Sequence, residues 1–390
     1  MKRFPLSLFH KLKEREASNS LRSFKYFHSP QIDFSSNDYL GYAGSLAIFE
    51  ETHQSLCAKG ERKNGATGSR LLTGNSTLYD QTESFLSKFH KAEATLIFNS
   101  GYDANVGFFS AVPQRNDVIL YDELCHASIR DGIQMSNAKA YKFGHNSYDE
   151  LEKLILRQQP ITDNRQPTTI YIVTESVFSM DGDCPNMEEL TNLSEKYGAY
   201  LVVDEAHALG VFGDQGEGLI QSLGLEDKVF ARIMTFGKGL GCHGAAVLGS
   251  QELKSYLINF ARSFIYTTGL SPHSVATILQ SYKHLTKEKE SLQKLKANII
   301  FFNQEKMRLG LKPMFVYSKS AIQCAIIPGN ETVKKIATQL QQKGFDVRPI
   351  LSPTVPEGQE RLRFCLHSYN SEKEISEVLQ LLSTFVFEIK

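Results

Sequence analysis

The sequence has no run of roughly 18 consecutive apolar residues, the length needed to cross a bilayer. Its opening, MKRFPLSLFHKLKE, is basic but breaks its apolar positions with His10, Lys11 and Lys13, which argues against a secretory signal. No membrane partner is expected. Net charge is missing too, since 43 lysines and arginines balance 43 aspartates and glutamates. A nucleic-acid surface needs a basic excess gathered on one face, so that partner class is not expected either. A small anionic ligand remains open, because one arginine in a pocket does not register in a net charge. The six cysteines (Cys57, Cys125, Cys184, Cys242, Cys324 and Cys365) form no CxxC pair and no metal-ligand spacing. A chain of 390 residues can bury its core without cross-links, so free thiols in a reducing cytoplasm are expected, and no metal. Repeats and low-complexity segments are also absent.

What is present is an alternation. After a short charged helix up to about residue 24 and an extended piece around Ile32, helical stretches alternate with compact apolar runs. The runs are ATLIFNS (94–100), DVILYD (117–122), AKAYKF (138–143), TTIYIVTE (168–175), AYLVVDEA (199–206), ARIMTF (231–236) and GAAVLG (244–249). Each is too short for a core helix and too continuously apolar for a half-exposed strand. A mostly parallel seven-stranded sheet covered on both faces follows. A long helical region over 275–308 leads to shorter strands and a final helix from Ser371. The expected division is an N-terminal segment 1–49 packing near the small domain, a large domain 50–289 and a small α/β domain 290–390.

In an open parallel sheet, ligands bind beyond the carboxyl ends of the strands. The polar residues that follow the runs are therefore the candidates: Ser100 with Gly101, Asp122 with His126, Glu175 with Ser179, Asp204 with His207, and Thr235 with Lys238. Asp204 either caps a helix or pairs with a protonated ring nitrogen. Lys238 sits among Gly237, Gly239, Gly241 and Gly244, which leave its amine room beside a planar group. A lysine that attacks an aldehyde must be deprotonated, and burial or a nearby cation lowers its pKa. An exposed lysine in a flexible turn is the plainer reading. These glycines make neither a Walker loop nor a dinucleotide fingerprint in the right context. The amides of Gly101 and Tyr102 open a helix where an anion could sit, and Thr267 and Thr268 offer hydroxyls. Arg361 and Arg363 share one face of a strand, and arginine's fork suits a carboxylate.

In their order these pieces resemble the α-oxoamine synthases, a branch of the aspartate-aminotransferase-like enzymes of fold type I that depend on pyridoxal 5′-phosphate. The motifs are FSSNDYLG (34–41), GSRLLTG (68–74), SGYDAN (100–105), CHASIRDG (125–132) and SVFSMDGD (176–183). They continue with VVDEAHALGVFG (202–213), MTFGKGLGCHGAAVLG (234–249), FARSFIYTT (260–268) and SPTVPEGQERLR (352–363). The resemblance implies that Lys238 bonds the cofactor aldehyde, Asp204 pairs with its pyridine nitrogen and His126 stacks on its ring. It implies that His207 and Ser179 contact the phenolic oxygen, and that Glu175 lies in the cofactor site. Gly101, Tyr102 and Thr235 would hold the phosphate, with Thr267 or Thr268 reaching in from the second subunit of a homodimer. Arg363, ahead of Arg361, would hold the amino-acid carboxylate, with Asn37 also on the substrate side.

The FGKG, HGAAVLG, AIQ (321–323) and PTVPEG elements point to the branch member that condenses L-alanine with a pimeloyl thioester, carried on coenzyme A or an acyl-carrier protein. The product is 8-amino-7-oxononanoate, with carbon dioxide and free thiol. Another member, such as a glycine C-acetyltransferase, is the alternative within the branch, and a scaffold that keeps the fold without catalysis is the alternative outside it. Two departures stand out. Tyr79 occupies the place of a usual histidine, and Cys125 precedes His126 where members often carry asparagine or serine.

Overall fold

The protein is described here from a computed structural model covering residues 4–18, 20–22, 24, 30–158 and 168–387. Seven strands form the main sheet: β1 (Ala94–Phe98), β2 (Val118–Asp122), β3 (Lys139–Phe143), β4 (Ile170–Glu175), β5 (Tyr200–Asp204), β6 (Ala231–Thr235) and β7 (Ala245–Gly249). Their order is β1-β7-β6-β5-β4-β2-β3, and only β7 runs antiparallel to its neighbours. These are the seven apolar runs of the sequence, in the mostly parallel sheet that their alternation with helices predicts. Successive side chains of a strand point to opposite faces. Leu96 and Phe98 accordingly pack with Phe108, Ile129 and Leu257 on one side, while Ile97, Val118 and Leu120 join the core on the other. Strand β3 departs from the pattern. Four of its five residues are exposed, and its Lys139 and Lys142 suit an edge that must not pair with another chain.

Three further strands make an antiparallel sheet in the order β9-β10-β8: β8 (Ile322–Ile326), β9 (Arg348–Ile350) and β10 (Arg361–Cys365). The N-terminal segment returns here, since Ile32–Asp33 pairs in parallel with Phe345–Asp346. The charged N-terminal helix spans Leu6–Ala17, shorter than expected, and none of its residues is buried. Part of the expected stretch to residue 24 lies outside the described residues.

The long helical region is two helices, Pro272–Lys287 and Glu290–Arg308, and not one. Glu288 takes an extended conformation (φ −99°, ψ 120°), and its carboxylate accepts from the amides of Glu290 and Ser291. A side chain thus caps the second helix where the pattern alone ran on unbroken. The last helix, Glu372–Phe387, opens on a reciprocal cap. Ser371 Oγ accepts from the Glu374 amide at 3.3 Å, and Glu374 Oε2 from the Ser371 amide at 2.7 Å.

Candidate active site

Parallel strands β2, β4, β5 and β6 all end at the same edge of the sheet, and their last residues bring the predicted groups together. Asp204 ends β5, Glu175 ends β4 and Thr235 ends β6. Asp204 Oδ1 accepts from the Ala206 amide at 2.8 Å, and Oδ2 from Asn105 Nδ2 at 2.8 Å. Asn105 also reaches Ser128 Oγ at 3.0 Å. Only 6% of Asp204 is exposed, so its carboxylate is held in one orientation by the protein and not by water.

Lys238 follows β6 and places Nζ 2.9 Å from His207 Nε2. Burial pulls the lysine pKa down to about 8, against the pull of Asp204 and Glu175, and with help from Arg363. The same burial, with Lys238 and Arg363 as cationic neighbours, holds His207 well below its usual value and hence uncharged. Glu175 moves upward, because burial and the Asp204 charge outweigh Lys238. Its Oε1 accepts from the His126 amide at 2.5 Å. The His126 ring is kept neutral chiefly by burial, and its Nδ1 accepts from the Ser128 amide at 3.2 Å. That contact caps the helix Ala127–Gln134.

Gly101 begins the helix Gly101–Ala111, and a Cβ added there would lie 2.5 Å from Thr235 Oγ1. The helix N-terminus and the threonine hydroxyl therefore share one space that any larger residue would fill. Tyr102, next in the helix, is half exposed, with its hydroxyl donating to Asp131 Oδ2 at 2.6 Å. Thr267 Oγ1 and the Thr268 carbonyl both accept from Asn99 Nδ2, at 3.1 and 2.6 Å, at the end of β1.

The two arginines of β10 are both buried but serve different neighbours. Arg361 pairs with Asp181 and donates to the carbonyls of Met180 and Gln359, away from Lys238. Arg363 donates to the Ser179 carbonyl at 2.7 Å and to Asn37 Oδ1 at 2.9 Å. Asn37 in turn lies 3.2 Å from Tyr39 Oη, which lies 2.6 Å from His207 Nδ1. Among the predicted residues, Arg363 and Asn37 thus connect to the Lys238 end of the crevice. Arg361 does not.

Asp122 goes elsewhere. Grouped by sequence with His126, it instead binds His145, with Oδ1 3.0 Å from Nδ1. His145 Nε2 meets Asp183 Oδ2 at 2.8 Å, so the imidazole bridges two carboxylates. Burial disfavours its charge, but hydrogen bonds to both aspartates outweigh this and push its pKa up to about 10. The bridge anchors the loop 176–183 that carries Ser179 and Asp181. Tyr79, the residue in place of histidine, is also structural. Its hydroxyl accepts from the Leu270 amide at 2.8 Å, and the Arg70 guanidinium lies 3.8 Å from its ring centre.

Sequence reading missed Tyr39, Asn105 and His145. Asn105 carried a usable signal, being one helical turn after Gly101 and so on the same helix face. Tyr39 and His145 gave none, because their partners lie 168 and 38 positions away.

The donor set fits pyridoxal phosphate. A buried amine with a lowered pKa and a fixed carboxylate influence each other across the crevice, and a helix N-terminus lies beside a hydroxyl. Residues 29–382 match the family described as aminotransferase class I and II. The chain is 41% identical to the 8-amino-7-oxononanoate synthase of Emericella nidulans, covering 97% of this chain and 95% of that one. A solved serine palmitoyltransferase from S. paucimobilis with bound PLP superposes with a TM-score of 0.87 at 25% identity, over 98% of each chain. The 8-amino-7-oxononanoate synthase of Francisella tularensis superposes with a TM-score of 0.76 at 29% identity, over 92% of this chain and 99% of that one. With a buried lysine and carboxylate at one strand-end crevice, this chain belongs to the aminotransferase class I and II family as a pyridoxal-phosphate-dependent acyltransferase of the α-oxoamine synthase branch, similar to 8-amino-7-oxononanoate synthase.

Proposed function

We propose that the chain condenses L-alanine with a pimeloyl thioester, on coenzyme A or an acyl-carrier protein, to give 8-amino-7-oxononanoate, carbon dioxide and free thiol. The observation that carries this reading is the link from Arg363 through Asn37 and Tyr39 to His207 and Lys238. It sets a carboxylate-binding fork beside a basic amine, the pair of functions an amino-acid substrate requires. Similarity to a fungal 8-amino-7-oxononanoate synthase along nearly the whole chain supports the choice of substrates.

Bound pyridoxal phosphate would supply the electron sink for charge on the substrate α-carbon. Lys238 would hold its aldehyde, Asp204 its ring nitrogen, and His126 one ring face. Gly101, Tyr102 and Thr235 would hold its phosphate, Ser179 and His207 its phenolic oxygen. Asn105 fixes Asp204 so that the carboxylate meets the ring nitrogen without rearranging. Glu175 fixes the backbone of His126. Arg363 and Asn37 orient the alanine carboxylate, which sets the α-proton toward Lys238 Nζ. With a pKa lowered to about 8, that amine can accept a proton near neutral pH. Thr267 or Thr268 completes the phosphate site from the second subunit of a homodimer. The described residues between 50 and 289 would form the cofactor-binding domain and those from 290 on the small domain, on which Ile32–Asp33 of the N-terminal segment pairs. Among the described residues no helix is long and apolar enough to cross a membrane. The proposed substrates and product place the enzyme in biotin biosynthesis, in the cytoplasm.

Mass spectrometry of the product decides the reading. L-Alanine with pimeloyl thioester should give 8-amino-7-oxononanoate, whereas glycine or serine, with acetyl, pimeloyl or palmitoyl thioesters, should give far less. The serine palmitoyltransferase likeness makes the serine arm necessary. A preference for serine or glycine would overturn the substrate assignment while keeping the branch.

A further inference from the structure

Tyr39 lies in the turn after Ile32–Asp33, yet none of its surface is exposed. Its hydroxyl lies 2.6 Å from His207 Nδ1 and 3.2 Å from Asn37 Oδ1, with the Arg363 guanidinium also against its oxygen, and it carries one proton to give. Burial holds the phenol above its ordinary pKa, so that proton stays on oxygen. Asn37 Oδ1 already accepts from Arg363 and can only accept again. His207 Nε2 faces the amine of Lys238.

These four contacts allow two complete arrangements. When Lys238 is an ammonium, it donates to Nε2, His207 donates Nδ1–H to the Tyr39 oxygen, and Tyr39 donates to Asn37. When Lys238 has lost its proton to solvent, His207 carries its proton on Nε2 and donates toward Lys238, while Tyr39 turns and donates to Nδ1. Tyr39 and His207 hold the same number of protons in both, and His207 never becomes charged. The charged or titratable groups acting on the imidazole are Lys238, Arg363 and His126, which all oppose an imidazolium, with the Tyr39 hydroxyl at Nδ1.

We propose that Tyr39 is a positioning residue that makes His207 a neutral two-way hydrogen-bond relay between Lys238 and the Asn37–Arg363 pair. A buried imidazole beside a nonpolar side chain would leave Nδ1 unpartnered in both states, as an orphan donor in one and an orphan acceptor in the other. The hydroxyl rotor removes that penalty from both. His207 can then serve Lys238 as an acceptor, and also serve an oxygen at the Lys238 position as a donor, without moving its ring.

The test uses full-length, cofactor-free protein with ¹⁵N-labelled histidine, so its failure leaves the substrate assignment untouched. The His207 ring signals are identified by their loss in His207→Asn. In the unaltered chain the Nδ1–H to Nε2–H ratio should invert, by about fivefold or more, as Lys238 titrates. In Tyr39→Phe the Nδ1–H tautomer loses its acceptor, so the inversion should move to lower pH together with the Lys238 titration. Should Tyr39→Phe fail to fold, Asn37→Leu removes the far acceptor, favours donation from Tyr39 to Nδ1, and should likewise move the inversion to lower pH. A ratio that ignores the Lys238 titration in the unaltered chain, or one that inverts unchanged in either variant, overturns the relay.

Discussion

Two histidines of this protein lie in polar, largely enclosed surroundings and end in opposite states. His207 sits between Lys238 and Tyr39, with Arg363 nearby, and is held neutral. His145 sits between Asp122 and Asp183 and is held charged, with a pKa pushed up to about 10. Burial acts in the same direction on both. What differs is the sign of the neighbours: cations in the crevice, carboxylates under the loop. The crevice thus keeps its groups poised to exchange protons, and the loop anchor keeps its groups from doing so. One arrangement suits chemistry near neutral pH, the other holds the chain in place.

The largest effect should come from the poised side. Lys238→Ala should lower turnover by about a thousandfold or more, because both cofactor attachment and the base are removed. It should also abolish the absorbance of covalently held cofactor. Appreciable turnover without that band would break the contrast. On the anchor side, His145→Gln should cost about 3 kcal/mol of stability, since two aspartates lose their common cation. The pKa of His145 is raised on folding, so its contribution is full below about pH 6.5 and is lost as pH climbs through about 10. Denaturant unfolding across that window should show the decline in the parent chain and a flatter profile in His145→Gln.

The smallest expected effect sharpens the comparison within one strand. Arg363→Ala should lower kcat/KM for alanine by about 2 kcal/mol, or roughly 30-fold, mainly through KM. Arg361→Ala should instead lower the melting temperature through loss of its Asp181 pair, with a smaller effect on KM. The reverse outcome would move the carboxylate site to Arg361.

The seven strands were legible because a strand covered on both faces must be apolar at nearly every position. Ala94–Phe98 and Ile170–Glu175 show this directly. Lys139–Phe143 was legible only by its place in the alternation, since its residues are mostly exposed. The break at Glu288 was hidden, because the cap is a carboxylate that helical patterns also use. Lys238, Asp204 and Glu175 could be picked out because strand ends in such a sheet converge, which makes position along the chain a guide to position in space.

The sequence by itself therefore determined the layered sheet, the strand-end candidates and the glycine-flanked lysine, since each follows from local periodicity and from where strands stop. Tertiary structure alone decided that Asp122 serves His145 and that Tyr39 meets His207. Those choices depend on contacts between segments far apart in the chain, and a side chain's charge and hydrogen-bond partner are set by what folding brings against it.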